Sequence, residues 1–354
     1  MSLLPDAAAF RSLIDGSMPG PAAVLARGCL AVLAGPYTVA VAARNAAYDA
    51  GVLPAQRAPV PVISIGNLTL GGTGKTPLVA WMARLLATAG RRPAIVSRGY
   101  GAATGITSDE AAELALLVPT VPHVADRDRV AGALRAADAG ADCVVLDDGF
   151  QHRRLARDLD VVVVDATDPF GGGRMFPRGL LREPLGGLGR ADAVVLTRAD
   201  AVDATRRRDI RMGLVRYGRP AIWSEAIHAP VTLRRWTADP LPLDALHGRR
   251  VAAFAAIGNP DAFRATLAAL GADVVDFQAF ADHHAYAHAD LATLAARAAA
   301  ARAELVATTL KDLVKIRRDE LDGVPLVAVE IALQLLVGES DLAAKALSTT
   351  NARG

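Results

Sequence analysis

The chain has 354 residues, enough for two domains and a sizeable buried core. A hydrophobic fraction of 52% and a mean hydropathy of +0.27 are high for a soluble enzyme and point toward membrane contact. A net charge of only +2 leaves no global nucleic-acid footprint. The two cysteines, Cys29 and Cys143, lie far apart in apolar segments and read as buried thiols of a reducing compartment, not as a disulfide or metal pair.

No basic segment precedes the first apolar run, so residues 1–20 carry no cleavage-type signal. From Gly28 to Ala43 the chain is uncharged, bounded by Arg27 and Arg44 and interrupted by Pro36. That is short of the roughly 20 residues a bilayer span needs. It reads as an apolar helix lying in or dipping into a membrane interface; a buried core helix and a full span are the alternatives.

Val60–Leu86 organises the rest. Val60, Val62, Ile63 and Ile65 form a short buried strand, Gly66–Gly74 a glycine-rich loop, and Leu78, Val79, Met82, Leu85 and Leu86 one face of a helix whose first turn holds Pro77. Strand, loop, Gly74-Lys75-Thr76 and helix make a P-loop, whose amides over Thr69–Thr76 cradle phosphates. Lys75 then reaches the β- and γ-phosphates of ATP, and the Thr76 hydroxyl faces Mg²⁺. The cofactor-binding set is Thr69, Leu70, Gly71, Gly72, Thr73, Gly74, Lys75 and Thr76, with Thr69 standing where the pattern has its first glycine.

Ala94–Ser97 reads as a strand, Asp109–Leu117 and Val130–Ala139 as helices. Cys143–Leu146 is an apolar strand ending in Asp147-Asp148-Gly149, a Walker B position at which one aspartate holds Mg²⁺. Gln151, His152, Arg153 and Arg154 follow, at the strand end where α/β sheets bind ligands. Val161–Val164 and Val194–Thr197 repeat the strand signature. Between them, Asp168–Arg190 interleaves Arg174, Arg178, Arg182 and Glu183 with Met175, Phe176, Leu180 and Leu181. It suits either a phosphate- and lipid-meeting loop or a solvated one.

Strands alternating with helices argue for a doubly wound, mostly parallel P-loop NTPase-like sheet. Texture changes around residues 215–250. Ile222–Leu233 reads as one or two strands, then Val251–Ile257, Val274–Phe277, Leu305–Thr308 and Leu326–Val329 alternate with helices as a second, smaller α/β domain. His283, His284 and His288 suit a partner to a catalytic base or plain surface and capping roles, and a metal site less well. The expected organisation is a membrane-associated helical segment over 1–50, a kinase core over 51–218, the smaller domain over 219–338 and a polar tail over 339–354.

Taken together, Gly66-Asn67-Leu68-Thr69, Gly71–Pro77, Ser97-Arg98-Gly99-Tyr100-Gly101, Asp147–His152, Arg182-Glu183-Pro184, Ile257–Pro260 and Asp282-His283 resemble the tetraacyldisaccharide 4′-kinases over roughly residues 10–335. The resemblance implies transfer of the ATP γ-phosphoryl group to the 4′-hydroxyl of a tetraacylated glucosamine disaccharide 1-phosphate, a lipid A precursor. It implies peripheral or monotopic work at the cytoplasmic face of a bacterial inner membrane, with no nucleic acid and no obligate protein partner. It also implies Asp109 as catalytic base paired with His283, and Arg127 (or Arg129 beside it), Lys75 and Asp148 in the catalytic set. Thr76, Asp147 and Glu183 fall at the metal, and Asn67, Gln151, His152 and Arg182 at the substrate. The chain departs from the family pattern in having Ala111 after Asp109-Glu110 and Leu310 in Thr309-Leu310-Lys311-Asp312. The competing readings are a P-loop kinase of a soluble small molecule and a nucleotide-dependent switch or metallochaperone. A guanine-reading Asn-Lys-x-Asp would favour the switch, but the corresponding strand end is Thr197-Arg198-Ala199-Asp200.

Overall fold

The computed structural model describes residues 7–99, 109–282 and 284–351. Two compact units emerge: the first runs to His228 and resumes at Leu333, and the second covers Ala229–Ala332. Tyr100, Gly101 and His283 lie outside the described residues.

The first unit is built on parallel strands in the order β3-β2-β4-β1-β5-β6-β7. They are β1 (Val62–Asn67), β2 (Pro93–Ser97), β3 (His123–Ala125), β4 (Cys143–Asp147), β5 (Leu159–Asp165), β6 (Ala193–Thr197) and β7 (Ile222–Arg234). Every residue of β1, β2, β4, β5 and β6 is buried, as parallel strands covered on both faces require. Alternation then sorts the side chains. Val62, Val96, Val144 and Leu146 pack with Val130, Ala133 and Ala136 of α5 (Arg129–Asp138). The opposite parity, including Ile63, Ile65, Ile95 and Val145, lies under α3 (Lys75–Thr88). Val162, Val164, Val194 and Leu196 meet Ile210 and Leu214 of α6 (Ala204–Val215). The chain leaves β1 toward β2 and later returns to its other side as β5. The carboxyl end of β1 is therefore a topological switch point, where such sheets bind ligands.

Ahead of this core stand α1 (Ala7–Asp15) and α2 (Pro21–Asp49). The expected apolar stretch is only the middle of α2, which runs unbroken through Pro36 for 29 residues, about 43 Å at the rise of an α-helix. Proline removes one hydrogen-bond donor, and the ladder resumes on both sides. Leu25, Val32 and Val39 are 70%, 75% and 68% exposed. Cys29, expected to be buried, is exposed on the same helix. Cys143 is buried in β4, where burial, with Asp142 adding, pushes its thiol up to about 12.

Ile222–Leu233 is a single strand, so the first unit ends ten residues beyond the expected boundary at 218. The second unit carries β8 (Arg250–Ala255), β9 (Asp273–Ala279), β10 (Leu305–Thr309) and the start of β12 (Val324–Val337), parallel in the order β12-β10-β8-β9. The two-residue β11 (Glu320–Leu321) pairs antiparallel with β12. Val251, Ala253, Phe263, Leu267, Leu305 and Val327 centre its core. The polar tail expected from Glu339 is instead a helix, α10 (Glu339–Asn351). It belongs to the first unit, buries Leu342 and Ala346 and touches α3.

Candidate active site

The loop after β1 is braced from inside. Asn67, expected at the substrate, is fully buried, and its Nδ2 donates to the Thr69 carbonyl at 2.7 Å and to Thr73 Oγ1 at 3.0 Å. It shapes the loop and has no surface to offer a substrate. Thr69 and Leu70 are likewise committed: Thr69 is buried and bridges Leu181, and the Leu70 N–H donates to the Leu180 carbonyl at 2.7 Å. With the Thr73 N–H donating to the Gly71 carbonyl at 3.1 Å, the amides left to face phosphate are those of Gly71, Gly72 and Gly74–Thr76, at the N-terminus of α3, where aligned peptide dipoles favour an anion. Gly66 has a distinct job. A Cβ there would stand 2.6 Å from the Cβ and backbone N of Phe150, so only glycine lets β1 approach the segment after β4.

That segment supplies the acids. β4 ends at Asp147, and Asp148 takes a left-handed conformation with φ 52°, which a short polar residue tolerates best. The turn delivers Asp148 to two cations. Lys75 Nζ is 3.4 Å from its Oδ1, and Arg182 Nη1 donates to both oxygens at 2.9 and 2.8 Å. Burial raises the proton affinity of Asp148, but Lys75 and Arg182 outweigh it and the group sits below the usual carboxylate range. Asp147 behaves oppositely. Burial pushes it up to about 6, Lys75 opposing and Asp148 and Glu110 adding to the rise.

Gln151, Arg182 and Glu183 form the second layer. Gln151 Nε2 donates to the Asn67 carbonyl at 2.8 Å and to Glu183 Oε1 at 2.9 Å, while its Oε1 accepts from Arg182 at 3.4 Å. Glu183 is wholly buried, and its other oxygen accepts from Arg190 at 2.8 Å and Asn45 at 3.0 Å. Both its oxygens are thus engaged by protein donors, which fixes the carboxylate expected at the metal into the network around Gln151. The Asp168–Arg190 segment is no loose loop. It is stitched to the P-loop through Leu180, Leu181 and the Arg182 N–H, which donates to the Leu68 carbonyl at 2.8 Å.

The other flank was not legible in sequence. Thr197 Oγ1 at the end of β6 donates to the Thr73 carbonyl at 2.8 Å, and Arg198, paired with Asp165, donates to the Gly72 carbonyl at 3.0 Å. His228 of β7 presses on Gly74: a Cβ on this φ +83° glycine would stand 2.4 Å from the imidazole. The place to look for such residues was the carboxyl end of each parallel strand.

His228 and His152 are both held neutral. Burial lowers each to about 4, with Arg198 adding at His228 and Arg129 at His152. Between pH 6.5 and about 4 the native state therefore binds fewer protons than the unfolded chain. Stability carried by these groups is complete above pH 6.5 and drains as pH falls toward 4. Asp147, raised to about 6, acts in the opposite sense below pH 6, so the histidines dominate first. At pH 5.5 the deeply buried His228 costs about 1 kcal/mol, and the more exposed His152 less. The melting temperature falls between pH 7.5 and 5.5, and His228→Gln recovers about 2 °C of that fall. Thermal melts of both proteins at the two pH values check this; identical pH slopes would refute it.

Asp109 and Glu110 open α4 (Asp109–Leu117), and Glu110 is close enough to Asp147 to raise its proton affinity. Arg127 is exposed, whereas Arg129 is buried at the start of α5 and close enough to Asp147 to lower it. Of the two arginines the register allowed, Arg129 is the one whose charge reaches Asp147. In the second unit His284 Nε2 lies 3.0 Å from Asp290 Oδ2. Leu310 is buried, and Asp312 beside it accepts from the Ala256 N–H at 3.0 Å and Thr309 Oγ1 at 2.7 Å.

Among the described residues no three His, Cys, Asp or Glu side chains converge on a metal. Thr76 and the Asp147–Asp148 pair suit Mg²⁺ all the same, because that ion takes one or two carboxylates and completes its shell with phosphate oxygens and water. An amide cradle, a lysine and paired acids are the parts phosphoryl transfer needs.

The family model for tetraacyldisaccharide-1-P 4′-kinase matches residues 26–350. A tetraacyldisaccharide 4′-kinase of Anaeromyxobacter sp. (strain Fw109-5) is 44% identical over 357 residues, covering 95% of this chain and 94% of that one. One from Syntrophus aciditrophicus is 40% identical, covering 84% of this chain and 87% of its own length. Among solved structures, LpxK from Aquifex aeolicus in complex with ATP superposes with a TM-score of 0.72 at 30% identity, over 92% of this chain and 99% of that one.

Proposed function

The chain belongs to the tetraacyldisaccharide 4′-kinase family, and from that premise we propose how its residues carry the reaction and where it works. The activity is ATP-dependent transfer of the γ-phosphoryl group to the 4′-hydroxyl of a tetraacylated glucosamine disaccharide 1-phosphate, giving lipid IVA in lipid A biosynthesis. The observation that carries it in this chain is Lys75 and Arg182 gripping Asp148 at the mouth of the β1 loop. Transfer of ³²P from γ-labelled ATP into chloroform-soluble disaccharide tests it. No label in the lipid, or label only in a deacylated sugar, would overturn it.

Phosphoryl transfer asks little covalent chemistry of a protein; positioning and charge neutralisation dominate. Lys75 and the amides of Gly71, Gly72 and Gly74–Thr76 hold the triphosphate against the dipole of α3. Thr76 with Asp147 or Asp148 would hold Mg²⁺, and the ion would supply neutralising charge for the phosphate oxygens. Arg182 keeps Asp148 ionised and aimed. Asp109, at the head of α4, accepts the proton of the 4′-hydroxyl.

The acceptor arrives from a lipid surface, and α2 supplies the dock. Its exposed apolar face lies in the interface of the cytoplasmic leaflet of the inner membrane, monotopic rather than spanning. Beside it runs a groove of about 290 Å³, lined by Ala34, Gly35 and Thr38 of α2 with Arg174, Met175 and Arg178. Small apolar walls and two guanidinium groups suit an acylated, phosphorylated sugar. Burying one large aliphatic side chain is worth about 1.5–3 kcal/mol. The pair Leu25→Glu and Val32→Glu therefore lowers partition onto phospholipid vesicles at least about tenfold. Binding of soluble Mg·ATP stays within about twofold, since both residues are solvent-facing. Co-sedimentation checks this; an unchanged vesicle-bound fraction would count against the dock.

A further inference from the structure

Helix α2 does more at its C-terminal half than expose an apolar face. Tyr37 Oη donates to the Arg182 carbonyl at 2.8 Å. Arg44 donates to the Gln151 carbonyl at 3.2 Å. Asn45 Nδ2 donates to Glu183 Oε2 at 3.0 Å, and the Asn45 carbonyl accepts from Arg153 at 2.8 Å. Three consecutive pieces of the acidic site, Gln151, Arg182 and Glu183, are thus held by one helix.

Asn45 reaches deepest. From its amide an unbroken series of polar contacts runs to the phosphate-binding lysine: Asn45 to Glu183, Glu183 to Gln151 at 2.9 Å, Gln151 to Arg182 at 3.4 Å, Arg182 to Asp148 at 2.8 Å and Asp148 to Lys75 at 3.4 Å. Glu183 is the pivot. It is completely buried, and a buried carboxylate is tolerated only when its lone pairs are met. Arg190 supplies one donor to Oε2 at 2.8 Å and Asn45 the other. Without the Asn45 amide, Glu183 is drawn toward Arg190, and the Gln151 amide that shares Glu183 with the Asn67 carbonyl must follow or lose a bond. Gln151 in turn is a contact of the guanidinium that aims Asp148.

We infer that Asn45 is a positioning residue of the phosphoryl-transfer site, and that α2 sets the catalytic geometry through it as well as meeting lipid. The inference rests on the ATP-site reading of Lys75 and Asp148 given above. Asn45 touches neither the nucleotide loop nor the acids directly; it acts through Glu183.

The test compares Asn45→Ala, Asn45→Gln and Lys75→Ala in full-length protein, with steady-state kinetics in mixed micelles, vesicle co-sedimentation and thermal melts. Asn45→Ala lowers kcat roughly tenfold, equivalent to about 1.4 kcal/mol of transition-state stabilisation. KM for the lipid acceptor, the vesicle-bound fraction and the melting temperature stay close to those of the parent. Asn45→Gln, which keeps an amide donor, recovers part of kcat. An unchanged kcat in Asn45→Ala overturns the inference. So does a loss matched by weaker vesicle binding, which would make Asn45 part of the anchor, or one matched by lower melting, which would make it structural. Lys75→Ala separates this failure from that of the underlying reading. If it stays active, the ATP site itself is misplaced; if it is dead while Asn45→Ala is normal, only the positioning role falls.

Discussion

Lys75→Ala lowers kcat/KM for phosphoryl transfer by at least about 10³-fold while the protein remains folded. The size follows from what one side chain does twice over. Lys75 stands at the first position of α3, where a cation and the helix N-terminus together face the transferring phosphate. It is also one of the two cations on Asp148, at 3.4 Å, and a cation that opposes the burial of Asp147. Removing it leaves Asp148 to Arg182 alone and moves Asp147 further toward the protonated form, weakening the metal site as well as the phosphate site. Lys75→Arg should not rescue, because a planar fork cannot replace a compact point charge inside a tight loop. Folding survives because the side chain is not part of the core that Leu78, Val79, Met82 and Leu86 make beneath α3. Initial-rate kinetics with a matched melting curve decide the matter. A variant retaining a tenth of parental kcat/KM would refute the phosphate role.

How far this site could be read before the structure depended on the kind of signal. Short, largely apolar runs ending in Gly, Asp or Thr gave away β1, β4, β5 and β6, since a strand buried on both faces is mostly apolar. The pattern around Lys75 was equally plain, because glycine loops before a helix have few other uses. Three things were not legible. β3 is three residues long and partly exposed, so its composition carries no period. α10 is polar on average and buries only a thin seam, so it resembled a tail. Braces such as Thr197, His228 and Asn45 are single polar residues whose partners lie far along the chain, and spacing cannot express that. The same holds for Glu183: the resemblance placed it at the metal, and only packing shows that Arg190, Gln151 and Asn45 hold it.

Asp109→Asn lowers kcat by about 10²–10⁴-fold and leaves the affinity for Mg·ATP within about twofold of the parent. Asp109 opens α4, and the next residue, Glu110, is near enough to Asp147 to raise its proton affinity, so the head of this helix sits near the acid that ends β4. A carboxylate there can take the proton of an incoming hydroxyl while Lys75 and the loop hold the phosphate. Asparagine is the informative substitution. It keeps the size and the helix-capping capacity of aspartate and removes the capacity to accept a proton. Asp109→Ala should match it, whereas a role confined to starting α4 would spare Asp109→Asn and cost melting temperature in Asp109→Ala, by about 1 kcal/mol for a lost cap. Glu110→Gln is the necessary companion, because the two acids are adjacent and either could face the acceptor. Near-normal turnover in Asp109→Asn together with loss in Glu110→Gln would move the base by one residue. Normal turnover in both would remove general-base catalysis from α4 altogether, and leave the reaction to positioning by Lys75, Asp148 and Arg182.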